Sequence, residues 1–360
     1  MKIIIVQDQL RSGGTERQSV YLTRALQDAG HTLTLLTFRP GGALAPSARD
    51  LPIRALQPID FGLDWYASGL VKVCRKLKPD IILLMGRMAN CYGSRLASAL
   101  PKAAIIATYR TGKPLPWLYR RSLTKAKRVI ANSKEAAETV AREYGIPPER
   151  TAYIYNSLLL PPGRRADPAL RATLGATPTS FVMVSVAMFR KEKNQAELIQ
   201  IAAGLPAGLD WRLWLVGDGP ERGACAALAE NLRVSARVTF VGLKSDPTPY
   251  YAASDCAVHA SWSEALSNFL IEAQAQGLPV VACAAQGVAE CCVPGTTGWV
   301  MAHGDRGAFQ QKLIDLAALT GSQRVELATQ ASAFARTTFD PQRQVAAYVE
   351  LFQRALTPTP

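Results

Sequence analysis

Short β-branched and aliphatic runs alternate with longer amphipathic stretches along this 360-residue chain, and after one break the alternation starts again. In the first half the strand candidates are Lys2–Val6, Thr32–Leu36, Ile81–Met85, Ala104–Thr108 and Val129–Ala131. In the second they are Phe181–Val186, Trp211–Val216, Arg237–Val241, Cys256–His259 and Pro279–Cys283. Helical patterns such as Glu16–Ala29, stopped by Gly30, lie between them. Parallel strands need a crossover of helix length, so this spacing predicts parallel sheets covered by helices on both faces. The stretch from Pro161 to Ala176, which opens Pro-Pro-Gly-Arg-Arg-Ala-Asp-Pro, has linker chemistry. One hydrophobic core seldom serves a chain this long. The expected architecture is α/β, with two Rossmann-like doubly wound domains over residues 1–165 and 166–340. A terminal helix within 341–360 is expected to pack back on the first domain. Ligands of such sheets bind at the carboxyl ends of the strands, which puts the expected site in a cleft where the domains face each other.

Composition excludes several classes. About half of the residues are apolar, but no run approaches the roughly 20 residues of a membrane span. Met-Lys-Ile-Ile-Ile-Val reads as a strand rather than a signal peptide, so a cytoplasmic location is expected. The net charge of +13 is lopsided: residues 1–160 hold 24 Lys and Arg against 11 Asp and Glu, and the remainder 17 against 17. The densest basic stretch, Arg110 to Lys134, includes Arg120, Arg121, Lys125, Lys127 and Arg128, beside Trp117, Leu118 and Tyr119. An anionic membrane surface (the cytoplasmic face of an inner membrane) or a phosphorylated acceptor fits that mixture; a solvated basic helix face is the alternative. Nucleic acid is not expected, because no nucleic-acid motif accompanies the charge. Seven cysteines without a C-x-x-C pair predict reduced thiols and no structural zinc, with Cys256 and Cys283 as core residues.

Three segments carry chemistry. The first strand runs into Gln7-Asp8-Gln9-Leu10-Arg11-Ser12-Gly13-Gly14-Thr15-Glu16 before a helix. Paired glycines let backbone approach a phosphate at a helix N-terminus, although a tight turn without a ligand reads the same way. The third glycine of a G-x-G-x-x-G fingerprint is missing from both halves, which argues against a nicotinamide-dependent oxidoreductase. After Phe181–Val186 come Arg190, Lys191 and Lys193, cations suited to a departing diphosphate or to a solvated loop. Lastly, Glu264 lies on a loop after Cys256–His259, and Glu272 lies in the early turns of a helix that begins near Ser267 or Asn268. Carboxylates accept hydrogen bonds from sugar and ribose hydroxyls, and the helix start suits a phosphate.

With these residues in view, the chain resembles the retaining glycosyltransferases of family 4 (glycosyl transferases group 1) over nearly its whole length. The resemblance runs through Gly13-Gly14-Thr15-Glu16-Arg17, Val129-Ile130-Ala131-Asn132-Ser133, Gly145-Ile146-Pro147 and Tyr155-Asn156. It continues through Val216-Gly217-Asp218-Gly219-Pro220, Phe240-Val241-Gly242, Gly287-Val288-Ala289-Glu290 and Gly295-Thr296-Thr297-Gly298. Its most specific element is a glutamate pair with seven residues between, matched by Glu264 and Glu272.

The resemblance implies a GT-B fold and retaining transfer of a sugar from a UDP- or GDP-type nucleotide sugar to a glycan or glycolipid acceptor, as in bacterial cell-surface polysaccharide or lipopolysaccharide synthesis. It implies that Gly14 lines the donor phosphate and that Lys193, with Arg190, holds the diphosphate. Glu264 would contact the transferred sugar beside the amides of Leu266, Ser267 and Asn268. Glu272 would take the ribose, and the turn through Leu243 and Lys244 would flank the base. No cofactor or metal is expected; the chain has no Asp-x-Asp triplet to bridge one. Three departures stand out. Met188 occupies a position that is often cationic, Ala265 one that is often glycine, and Gly86-Arg87-Met88-Ala89-Asn90 lacks the histidine that holds the donor sugar in many members. Arg87, Asn90 or Tyr109-Arg110 would replace it, Arg87 foremost; His31 and His259 read as strand-end or packing residues. Two other readings remain: a nucleotide-sugar epimerase, and a nucleotide-sugar-binding partner protein that has lost catalysis.

Overall fold

The computed structural model describes residues 1–160 and 167–357. The first part of the linker candidate, 161–166, lies outside the described residues together with the boundary at 165. The chain divides into two compact units, one of Met1–Ser157 with the chain from Pro341 onward, the other of Leu158–Asp340.

The first unit is built on a parallel sheet of β1 (Lys2–Gln7), β2 (Thr32–Thr37), β3 (Ile53–Ala55), β4 (Ile81–Leu84), β5 (Ala104–Tyr109), β6 (Arg128–Ala131) and β7 (Thr151–Tyr153). The spatial order is β3-β2-β1-β4-β5-β6-β7, so the chain reverses its direction of travel between β1 and β4. The second unit repeats the plan with β8 (Phe181–Val186), β9 (Trp211–Val216), β10 (Val238–Gly242), β11 (Cys256–His259), β12 (Val280–Cys283) and β13 (Gly298–Met301). Its order is β10-β9-β8-β11-β12-β13, with the reversal between β8 and β11. Crevices at the carboxyl ends of strands open at such switch points.

The central strands are apolar on both faces because helices cover both. Ile3, Ile5, Leu83 and Ile106 pack on one side of the first sheet, and Ile4, Val6, Leu84 and Ile105 on the other. In the second sheet Met183, Leu213, Val258 and Val281 sit in one core with Phe189 and Phe309. The closing helix Pro341–Leu356 belongs to the first unit, where Val345, Tyr348, Leu351 and Phe352 join Leu22 and Leu26 of the helix Gly14–Asp28.

Every strand expected from the sequence is present within a residue or two. The sequence pattern missed β3, β7 and β13, each at the edge of its sheet. β3 (Ile-Arg-Ala) and β7 (Thr-Ala-Tyr) are three residues long and broken by polar side chains, and β13 is four residues long and only partly buried. The linker reading of Asp167–Ala176 is corrected. Pro168–Thr173 is a short helix capped by the Asp167 side chain, and Arg171 fastens it to the Ala253 carbonyl (2.9 Å) and to Asp255 (3.3 Å). All seven cysteines are free and buried.

Candidate active site

The switch point of the second sheet gathers the candidate residues best. Beyond β8 the chain passes Arg190, makes a short 3-10 turn over Lys191–Lys193 and enters the helix Gln195–Ala203 through Asn194 at φ 52°. Beyond β11, Ser261 donates its hydroxyl to the Glu192 carbonyl (2.9 Å), and the Trp262 amide donates to the same oxygen (3.2 Å). These bonds lash the two loops together and bring Lys193 to Glu264: Lys193 Nζ donates to Glu264 Oε1. On the same oxygen lies Nε2 of His259, the last residue of β11, at 2.9 Å. His259 is buried, and its ring sits edge-on to Phe269 with centroids 5.8 Å apart.

Electrostatics fixes the state of this cluster. Burial by itself would raise the Glu264 carboxyl, but the hydrogen bond from His259 and the charge of Lys193 outweigh it and hold it at about 2. Glu264 is therefore an ionised acceptor at neutral pH, and the nitrogen of His259 that faces it must carry the proton. A carboxylate held this way is no proton donor. It is a fixed negative charge, able to accept sugar hydroxyls and to stabilise positive charge that develops at an anomeric carbon. Lys193 stands beside it, where a diphosphate oxygen would have to share its ammonium group.

The glycines of Val216-Gly217-Asp218-Gly219-Pro220 explain how the Lys193 loop holds its place. Gly217 (φ 142°) and Gly219 (φ 151°) press against the backbone that follows β8: a Cβ on Gly217 would stand 2.0 Å from the Ala187 oxygen, and one on Gly219 2.4 Å from the Phe189 oxygen. The Phe189 amide in turn donates to the Asp218 carbonyl (2.9 Å). This motif seats the cationic loop through backbone contact rather than through side chains.

The helix Asn268–Ala275 begins behind Glu264, with buried Leu266 and Ser267 leading into it. The Ser267 side chain makes no capping bond to this helix. One turn on, Glu272 Oε2 accepts from the hydroxyl of wholly buried Tyr251 (2.9 Å). The Gly295-Thr296-Thr297-Gly298 motif clamps the far side of this helix. Gln274 donates to the Leu278 and Thr297 carbonyls (3.2 and 2.8 Å) and accepts from Thr297 Oγ1 (2.8 Å). Leu243 and Lys244 are exposed on the turn after β10, two strands away from the switch point.

Gly14 and Arg87 belong to the switch point of the first unit. Gly13 caps the helix Gly14–Asp28, and the Glu16 carboxylate folds back over it, 2.4 Å from where a Gly13 Cβ would lie. Asp8, just past β1, accepts from the Met88 and Ala89 amides (3.0 and 2.7 Å) and so caps the short helix Arg87–Cys91. Gly86 makes this approach possible, since a Cβ there would lie 2.2 Å from Asp8 Oδ1. Burial pushes the Asp8 carboxyl up to about 6 in spite of those two amides.

Among the residues considered for the missing histidine's place, Asn90 is spent on structure. Its amide donates to the Leu84 and Gly86 carbonyls (3.0 and 2.8 Å) and accepts from the Thr108 amide (3.0 Å). Arg110 is engaged with Asn156 and the Tyr348 hydroxyl. Arg87 is exposed and donates to the Pro114 carbonyl (2.8 Å). Sequence reasoning missed Tyr251 and Asp8, and it read His259 as a strand-end or packing residue, which places it at the end of β11 without its bond to Glu264. The one available signal for His259 was its place at a strand end five residues before Glu264.

Two parallel doubly wound units are the plan of the GT-B glycosyltransferases that this chain resembles in structure, and comparison with known proteins gives the family. The family model described as "Glycosyl transferases group 1" matches residues 167–336, and "Glycosyltransferase Family 4" matches residues 12–158. The chain is 30% identical over 331 residues to the lipopolysaccharide core biosynthesis glycosyltransferase LpsE of Rhizobium meliloti, covering 88% of this chain and 89% of that one. It is 29% identical over 365 residues to LpsD of the same organism, with 96% of each chain covered. Anabaena HepE, solved in complex with UDP-glucose, superposes with a TM-score of 0.82 at 22% identity over 98% of this chain and all of that one. The chain thus belongs to the group 1 glycosyltransferases of family 4, and it is an enzyme that transfers sugars.

Proposed function

We propose that this enzyme transfers a sugar, with retention and without a metal, from a nucleotide-diphosphate sugar to a lipid-linked glycan in lipopolysaccharide core synthesis. The observation that carries the reading is the Lys193–Glu264–His259 cluster at the second switch point, where a cation and a fixed carboxylate stand side by side. Lys193 and exposed Arg190 would take the charge of the departing diphosphate, the task a metal performs elsewhere. Glu264 would face the sugar, and the amides of Leu266 to Asn268 would lie beside its phosphate. In the step itself the bond from the anomeric carbon to the diphosphate breaks and a bond to the acceptor oxygen forms on the same face. The acceptor's proton passes to the departing phosphate. LpsE and LpsD support the acceptor class by their names, and HepE supports UDP as the carrier by its bound ligand. The basic helix Trp117–Lys125, with Trp117 and Leu118 exposed, supports a place on the cytoplasmic face of an anionic membrane.

The test is a panel of UDP- and GDP-sugars with and without membrane glycolipid extract, in excess chelator, with the anomeric configuration of the product read by NMR. Retained configuration and undiminished turnover in chelator are expected. An inverted product, or a requirement for added metal, overturns the corresponding part of the reading. Binding without turnover would mark a partner protein that has lost catalysis, and epimerised donor without transfer would mark an epimerase.

Glu272, one helical turn inside that site and oriented by Tyr251, is read as the ribose acceptor. Glu272→Ala is expected to weaken nucleotide binding by roughly 10- to 100-fold, the worth of one or two charge-assisted hydrogen bonds. Calorimetric titration with UDP and GDP checks it, and unchanged affinity for both removes Glu272 from the ribose.

A further inference from the structure

Between β3 and the helix Leu70–Leu77, the first unit presents an exposed apolar loop. Within eight residues Ile59, Phe61, Leu63, Trp65 and Tyr66 are all exposed, Ile59 at 69% and Trp65 at 57%. The loop is built rather than loose. The fully buried Gln57 donates to the Leu63 and Tyr66 carbonyls (both 2.8 Å) and accepts from the Phe61 amide (3.3 Å). Tyr92 donates its hydroxyl to the Trp65 carbonyl (2.5 Å).

The two acids of the loop are paired with arginines at the surface. Arg39 binds Asp60 through Nε and Asp64 through Nη1 (each 2.7 Å), and Arg11 also binds Asp64 (2.6 Å). The bond from Arg39 holds the Asp60 carboxyl down at about 2, so it is ionised opposite its arginine at physiological pH. Immediately after the loop, Lys72, Arg75 and Lys76 lie exposed at the i, i+3, i+4 spacing of one helix face. Large apolar side chains held outward, with acids masked and a basic face next to them, have the charge and polarity of an interfacial anchor for an anionic bilayer.

We infer that the loop Ile59–Tyr66 inserts its apolar side chains at the headgroup–acyl boundary of an anionic bilayer, while Lys72, Arg75 and Lys76 contact lipid phosphates. Glycan stacking is the competing occupant, and Ile59 and Leu63 speak against it because neither has an aromatic face for a sugar ring. The inference rests on the membrane location proposed above, but it assigns the anchoring to a different element from the helix Trp117–Lys125.

The full-length enzyme is sedimented with vesicles of phosphatidylethanolamine and phosphatidylglycerol. The wild type is compared with I59S/F61S/W65S and, separately, with R120Q/R121Q/K125Q/K127Q. The loop variant is expected to bind at least about tenfold more weakly while melting at the wild-type temperature, because its changes are on the surface. If the wild type ignores the vesicles, the membrane reading falls and takes the loop with it. If the wild type binds and the loop variant binds equally well, only the loop inference is overturned. Unchanged vesicle binding with reduced transfer to a detergent-free oligosaccharide would hand the loop to the glycan instead.

Discussion

Replacing Glu264 with glutamine is expected to lower turnover by about 10²- to 10³-fold with the native donor, the cost of removing one preorganised charge from a reacting centre. Glutamine keeps the shape but leaves the Lys193 ammonium without its counter-charge beside a buried amide. His259 tests the same cluster from the other side. His259→Phe removes the hydrogen bond that does most to hold the Glu264 carboxyl below its ordinary 4.5. The sign follows from linkage. Because the folded-state value is depressed to about 2, the stabilisation by ionised Glu264 is complete above the unfolded value and fades as pH falls toward 2. Without His259 the carboxyl should titrate higher, and the acid limb of the kcat–pH profile should move up with it. An acid limb that stays in place, together with Glu264→Gln turnover within about threefold of wild type, would separate this cluster from the chemistry.

Gly217→Ala is expected to be the most damaging single methyl in the second unit. The new Cβ would fall 2.0 Å from the Ala187 oxygen, at a φ of 142° that side chains avoid. Backbone, not a flexible side-chain tip, is the obstacle, so strain at the turn and displacement of the Lys193 loop are both unavoidable. A loss of about 3 kcal/mol or more is anticipated, or a fall in melting temperature on the order of 10 °C. Gly223→Ala is the control: it lies in the helix Arg222–Asn231 with nothing within 4 Å of the added carbon. There the methyl should be neutral or slightly stabilising. Differential scanning calorimetry of both variants decides the matter, and equal melting curves would mean that the loop seat tolerates what its geometry forbids.

Double-sided burial is what made the fold readable. β1, β4, β5, β8, β9, β11 and β12 are covered on both faces, so their sequences are dominated by apolar residues, and the lengths between them suit parallel crossovers. β3 and β7, three residues each at sheet edges, lack that signal, and β13 is a four-residue piece too short to stand out. In the site, Lys193, Glu264 and Glu272 could be singled out because carboxylates and cations at strand ends in a doubly wound chain are conspicuous. Their physical state could not. It depends on His259, whose ring direction is set by Phe269, and on Tyr251, 21 residues from Glu272. Asp8 is more remote from its partners, capping a helix 80 residues on, and no local pattern announces such a bond. Asn90 and Arg110 illustrate the same point: a polar residue just beyond a strand is as readily tied to neighbouring backbone and side chains as aimed at a ligand.

The closing helix gives the first unit an order of assembly. On a ribosome, Ser157 is made long before Phe352, and at ordinary elongation speeds the interval is roughly 10 to 40 s. For all of that time Leu22 and Leu26 lack part of the core that surrounds them in the finished unit, because Tyr348, Leu351 and Phe352 do not yet exist. The second unit lies entirely within the interval and completes its own core first. The half of the molecule that is translated first is therefore finished last, and its nascent form shows the machinery of the cell an apolar helix face that the mature protein never displays.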